Sequence, residues 1–478
     1  MVGMGGRRHR QRTSRTTGAR TRRDRRLPAL TAAVSGLTVL LAALLALSAC
    51  QPRPGPDAGS RPNILLIVAD DLGYGDLSSY GGAIQTPAID ALAAGGIRFT
   101  DFHGNGPLCT PTRASLLTGR YPQRAGLDDA LSASATIGLE PGEITIADVL
   151  KGAGYRTGLV GKWHLGHLPR FAPEQHGFEV FYGFRKGEID YVNHLDSLGN
   201  PDWWKNGTPV DDETYSTLLI TRKATRFIRR NAGRPFFLYV AYQAPHVPYQ
   251  APGDGPIRIR GEHKAAAEGD PARYPAMVAA LDDGIARIMR TLQETGLEEN
   301  TFVLFLSDNG AFGPGSNRPL RGVKGEVYEG GHRVPAIASW PGHIAPATSG
   351  ATLATMDILP TILELTGTPA PDARPLDGIS FRPVLAGAAA RLPERRLFWM
   401  YKGAAAARDG DWKLTEIDGT TSLFNLSTDL GETTDVAPLH PDIVAELSAA
   451  LHRWKADVVP TPPGSPAPTA DQAQAAAR

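Results

Sequence analysis

Two acidic pairs, Asp70-Asp71 and Asp308-Asn309, each close a short apolar run: "NILLIVADD" (63–71) and "TFVLFLSDNG" (301–310). Adjacent carboxylates repel each other and are costly unless a cation compensates. Three carboxylates and an amide supply the oxygen donors that a hard cation such as Ca²⁺ or Mg²⁺ takes. Such pairs are also ordinary loop and cap residues; their shared place at the ends of candidate central strands sets these apart. Four basic groups hold comparable places. Lys162 and His164 close "YRTGLVGKWH" (155–164), His246 closes "PFFLYVAYQAPH" (235–246), and Lys324 lies in "GVKGEVYEGGHRVP". Lys162 and His164 are two apart, so an extended backbone would send both side chains from one face. Four such groups beside an acidic site form a cradle for a tetrahedral anion.

Cys109 opens "CTPTRASLLTGRY" (109–121) and is one of only two cysteines in 478 residues. Pro111 suits the first turn of a helix, which puts Cys109 at the positive end of that helix's dipole. Arg113 follows one turn along. Spacing alone leaves two readings open: a buried small hydrophobe, or a reactive group.

The elements that must position these residues are legible. The four apolar runs read as strands covered on both faces. Helical patterns lie between them in "TPAIDALAAGGIRF", in "ITIADVLKGAGY" and in "YPAMVAALDDGIARIMRTLQETG". Alternation of this kind predicts an α/β fold with a large, mostly parallel sheet. In such sheets sites form beyond the carboxyl ends of the strands. Residues 62–375 are therefore assigned to one catalytic domain. After it come short strand-like pieces, "RLFWMY", "AARDGDWKLTEI" and "TSLFNL", then a helix, "PDIVAELSAALHRWKA". They predict a small C-terminal α+β subdomain with an antiparallel sheet over 376–457. A Pro- and Ala-rich tail, 458–478, is expected to be disordered.

Residues 1–26 carry ten arginines and one acid, Asp24; the remaining chain has 40 basic and 48 acidic residues. That body is not a nucleic-acid binder by charge. Residues 27–50 carry no charge and end Leu-Ser-Ala-Cys. A basic head, an apolar stretch and small residues form an export signal. Its ending resembles a lipobox, which predicts a bacterial lipoprotein held at the cell-envelope membrane through Cys50. The alternatives are an uncleaved N-terminal anchor helix or a secreted protein. Residues 51–61 would be a linker.

"CTPTRASLLTGR" resembles the sulfatase signature C-x-P-x-R and the helix that follows it. "ADDLGYGDLSSYGG", "GKWHLG", "SDNGAFG" and "GVKGEVYEGGHRVPAI" are similar to the family's other blocks, in the family's order, over about residues 62–457. The likeness falls nearest the arylsulfatase A and N-acetylgalactosamine-6-sulfatase branch. Thr112 stands where serine is more usual; the C-x-P-x-R core does not require serine. The resemblance implies an alkaline-phosphatase-like α/β sandwich. It implies a Cys109 oxidised to Cα-formylglycine by a formylglycine-generating enzyme, the hydrated aldehyde serving as nucleophile. It implies a cation, Ca²⁺ or Mg²⁺, held by Asp70, Asp71, Asp308, Asn309 and modified residue 109. His246 and Lys324 would bind the ester, one of them protonating the leaving alcohol. Arg113 and Lys162 would hold the diol and the sulfate charge, and His164 would take the proton that lets sulfate leave.

The activity expected is release of inorganic sulfate from a sulfated carbohydrate or aryl sulfate. The rivals are a phosphate or phosphonate ester hydrolase of the same fold, and a surface lipoprotein that binds sulfated glycans without cleaving them. Loop 167–215 is the expected source of specificity. Its Trp203 and Trp204 would either stack on a sugar ring or anchor the loop by packing.

Overall fold

A computed structural model describes residues 61–263, 269–371 and 374–459. The export signal, Cys50, the linker up to residue 60 and the tail beyond residue 459 lie outside the described residues. No helix among the described residues is long and apolar enough to cross a membrane.

The main sheet contains β1 (Asn63–Ala69), β2 (Ile97–His103), β3 (Arg156–Lys162), β4 (Val180–Phe184), β5 (Trp204–Lys205), β6 (Thr208–Pro209), β7 (Phe236–Ala241), β8 (Thr301–Ser307), β9 (Arg333–Ser339), β10 (Ala347–Ser349) and β11 (Leu353–Ala354). Its order is β10-β2-β9-β8-β1-β7-β3-β4-β5-β6, with β11 on β2. The four strands legible in the sequence are the adjacent central ones, β8-β1-β7-β3, and all are parallel. Strands β2, β4 and β9 go beyond the four that the apolar runs predict. "IRF" of β2 is the end of an apolar helical pattern, and β4 and β9 are short or glycine-flanked.

Side chains alternate between the two faces of a strand, and β1 divides accordingly. Ile64, Leu66 and Val68 enter one core, while Leu65, Ile67 and Ala69 enter the other. Helices α1 (Pro87–Ala94), α4 (Ser216–Arg230) and α5 (Tyr274–Glu294) cover the second face. Helices α2 (Cys109–Thr118), α3 (Ile146–Gly152) and α7 (Ile358–Thr366) cover the first. Each fully buried Leu, Ile or Phe contributes about 1.5–3 kcal/mol, so the strand ends stand on a rigid base. Short helices α6 (Glu329–His332) and α8 (Arg382–Ala386) complete this part.

A separate antiparallel sheet, β12 (Arg396–Tyr401), β13 (Ala404–Asp409), β14 (Trp412–Ile417) and β15 (Thr420–Asn425), packs under α9 (Pro441–Val458). Buried charge ties it to the large sheet. Arg408 on β13 donates twice to Asp101 on β2, both at 2.8 Å. Lys413 on β14 lies 2.9 Å from both Glu329 and Glu432. Burial pushes the Glu329 carboxyl up, yet Lys413 beside it holds it well below the usual range. Removing one partner of a buried pair leaves its charge uncompensated, which costs about 3–5 kcal/mol. Lys413→Met is expected to lose about that much stability in urea unfolding. A loss under about 1 kcal/mol would show that these charges are solvated.

Candidate active site

Strands β1 and β8 pair in register through Ala69 and Ser307. The residues that follow them are therefore neighbours, and the four expected metal ligands meet. The Asp71 backbone N–H donates to Asp308 Oδ1 (3.3 Å), and Asn309 Nδ2 donates to Asp71 Oδ1 (2.7 Å). Asp71 has φ +63°, an uncommon backbone for a residue other than glycine and one that clusters at functional sites. Asp70 Oδ1 and Asn309 Oδ1 are buried and accept no hydrogen bond. Burial and the neighbouring Asp70 charge push the Asp308 carboxyl up to about 6. Atoms of Asp70, Asp71, Cys109 and His246 also lie within 4.8 Å of one another. Unpartnered buried oxygens among acidic groups fit a hard cation.

Three protein cations match the three carboxylates. Arg113 donates from Nε (3.0 Å) and Nη2 (2.8 Å) to Asp308 Oδ2, and its Nη1 reaches Tyr239 Oη at 3.2 Å. Lys162 is fully buried and donates to Asp70 Oδ2 at 2.5 Å. Lys324 Nζ lies 2.7 and 2.8 Å from the two Asp71 oxygens.

Cys109 is the first residue of α2 and is 1% exposed. Burial pushes its thiol up to about 12, against the pull of Lys162 and Lys324. The structure therefore answers the open question in part: this residue is buried and, as a thiol, is not a ready nucleophile. It nonetheless lines a cavity of about 300 Å³ together with His164, His246, Lys324, Lys186 and Glu188.

Lys162 and His164 do not leave one face of an extended segment. The strand ends at Lys162, and His164 has φ +57°. The turn sends Lys162 into the carboxylates and His164 to the cavity wall. His164 Nε2 donates to Leu131 O (2.9 Å), which leaves the lone pair on Nδ1, buried and unpartnered. Burial and Lys162 hold this imidazole neutral, well below its usual range. His246 donates from Nδ1 to Val247 O (2.7 Å), and its Nε2 lies 3.6 Å from Asp71 Oδ2.

Lys186, Glu188 and Ser197 complete the wall and lie in the expected specificity loop. No motif singles them out; only the fold of 185–202 brings them to the cavity. Trp203 proves to be a packing anchor: it is 2% exposed and stacks on His194, ring centroids 4.3 Å apart. Trp204 is half-buried under the Arg185 guanidinium. His103, Glu329 and His332 also gather, but the Lys413 ammonium lies 2.9 Å from Glu329 and 3.2 Å from His332 Nε2. That group is neutralised by protein alone.

An acidic oxygen core ringed by three cations, at the carboxyl edge of a parallel α/β sheet, suits a hydrolase of anionic esters. A family profile described as Sulfatase matches residues 62–368. Arylsulfatase A of Bos taurus is 38% identical over 410 residues, 77% of this chain and 76% of its own. N-acetylgalactosamine-6-sulfatase of Rattus norvegicus is 37% identical over 377 residues, 72% of this chain and 68% of its own. The crystal structure of Ps i-CgsB with k-i-k-neocarrahexaose superposes with a TM-score of 0.77 at 30% identity, covering 87% of this chain and 98% of that one. The chain belongs to the sulfatase family, with its alkaline-phosphatase-like fold, and is a sulfuric ester hydrolase.

A thiol with a pKa near 12 is only about one part in ten thousand thiolate at pH 8. In protein that retains the Cys109 thiol, iodoacetamide at pH 8 should label the residue 109 peptide only after denaturation. Rapid labelling of the native protein, read by peptide mass, would contradict the buried placement.

Proposed function

We propose that the enzyme releases inorganic sulfate from a sulfated carbohydrate or aryl sulfate, with Cys109, converted to a formylglycine hydrate, as the nucleophile. The observation that carries this reading is that Cys109 lies within 4.8 Å of Asp70, Asp71 and His246 and lines one cavity with His246 and Lys324. The relatives named for sulfated sugars and the one solved with an oligosaccharide support a carbohydrate substrate. The leader supports export and an anchor at Cys50.

Asp70, Asp71, Asp308 and Asn309 would hold a divalent cation, Ca²⁺ or Mg²⁺. When bound, that ion supplies Lewis-acid polarisation of a sulfate oxygen. The converted side chain supplies a geminal diol, with one hydroxyl to attack sulfur and a second to expel sulfate. The remaining work belongs to the chain's own residues. Arg113, Lys162 and Lys324 already balance the three carboxylates one for one, so the charge of an ion is left over for an anionic ester. Lys324 and His246 bind the ester at the cavity wall, and one of them returns a proton to the departing alcohol. His164 takes a proton at Nδ1, the nitrogen its bond to Leu131 leaves free. Burial of the carboxylates, Arg113 and Lys162 strengthens the interactions among them.

Cys109→Ala should fold normally and lose nitrophenyl sulfate turnover, and nitrophenyl phosphate should remain the poorer substrate of the unaltered enzyme. Near-normal sulfate release by the variant would remove residue 109 from the chemistry. Calcium at about 100 times its Kd should stabilise the protein by about 2.7 kcal/mol, seen as a rise in Tm that Asp70→Asn and Asp308→Asn both abolish. An unchanged Tm with both Ca²⁺ and Mg²⁺ would count against the ion site.

A further inference from the structure

The two long helices on the second face leave a groove between them that no step of hydrolysis uses. Helix α4 carries Arg222, Lys223, Arg226, Arg229 and Arg230 and no acidic residue. This concentration stands out in a body that, after residue 26, holds 40 basic and 48 acidic residues. Arg222 and Arg229 meet Arg287 and Arg290 of α5 along one groove of about 340 Å³, with Thr214 also in its lining. Arg229 is paired with Glu294 at 2.6 Å, and Arg222 lies 4.0 Å from Asp212. Arg287 and Arg290 are exposed, and their side chains make no ion pair among the described residues. Arg229 and Arg230 also complement the C-terminal end of the α4 dipole. Arg222, Arg287 and Arg290 lie short of their helices' last turns, and that account does not reach them.

The spacing suits a string of anions. Arg222 and Arg229 are seven residues apart, roughly 10 Å along the helix axis. Guanidinium forks bind paired oxygens of tetrahedral and planar anions. One end of the groove, at Thr214, is tied through the chain to the wall of the catalytic cavity. His194 Nε2 donates to Thr214 O (3.1 Å), and Ser197, three residues after His194, lines that cavity. A membrane-facing helix would set apolar side chains beside its basic ones. On α4 the only exposed large apolar residue is Leu218.

We propose that the α4–α5 groove is a second binding site for a sulfated polysaccharide, gripping sulfates other than the one being cleaved. This rests on the carbohydrate reading of the substrate. The site would hold a polymer near the cavity while one sulfate ester at a time enters it.

The test titrates the full chain with dextran sulfate, and separately with phosphatidylglycerol vesicles, at low and at physiological salt. Dextran sulfate should bind with an affinity that falls as salt rises. The Arg287→Ala/Arg290→Ala double variant should bind about tenfold more weakly, and the Arg287→Lys/Arg290→Lys pair should recover part of the loss. Nitrophenyl sulfate, too small to span cavity and groove, should be turned over equally by all three proteins. Equal dextran sulfate affinity in the double-alanine variant overturns the proposal, as does binding to the vesicles alone. Absence of nitrophenyl sulfate turnover in the unaltered enzyme would instead count against the chemistry proposed at residue 109, with the binding comparison still readable.

Discussion

The parallel pairing of β1 with β8 is the constraint on which the site depends. In-register neighbours end together, so Asp70, Asp71, Asp308 and Asn309 are forced into one small, dry volume. Like charges so close would not stay ionised without compensation. The chain supplies it with Arg113 from a helix, Lys162 from the end of β3, two strands from β1, and Lys324 from a loop. Each carboxylate therefore has its own cation, and the arrangement is neutral before any ligand arrives. One oxygen on Asp70 and another on Asn309 accept no hydrogen bond, although Arg113 Nη2 lies 3.6 Å from the Asp70 oxygen.

Neutrality explains the treatment of Cys109. Desolvation pushes the thiol up to about 12, and the pull of Lys162 and Lys324 is opposed by the Asp70 and Asp308 carboxylates. A thiolate mechanism would need an electropositive, partly exposed setting, which this residue lacks. His164 and His246 each commit one ring nitrogen to a backbone carbonyl and keep the other for the cavity.

The small antiparallel sheet also bears on this centre. Trp399 on β12 donates to Gly104 O at 2.8 Å, and the Gly104 N–H donates to His332 O at 2.7 Å. Gly104 begins the loop that delivers Cys109. Arg408 and Lys413 fix the same sheet against Asp101 and Glu329. The loop before Cys109 is thus clamped from two sides by groups far away in sequence.

Much was determined by the sequence alone. Continuous apolar runs declare buried parallel strands, and the candidate site residues close or follow them: Asp70-Asp71, Lys162, Asp308-Asn309, and His246 five residues beyond the end of β7. A strand's period and its terminus are local properties, so a single chain displays them. The helix that starts at Cys109 is local in the same way. Tertiary structure decided the rest, because pairing between distant segments leaves no local mark. The order β8-β1-β7-β3, the turn at His164 that overrides simple alternation, the arrival of Lys186 and Glu188 at the cavity, and the packing of Trp203 on His194 all depend on contacts made only in the folded chain. The arginine groove is of that kind too: α4 and α5 are each ordinary amphipathic helices, and only their packing brings Arg222 and Arg229 to face Arg287 and Arg290.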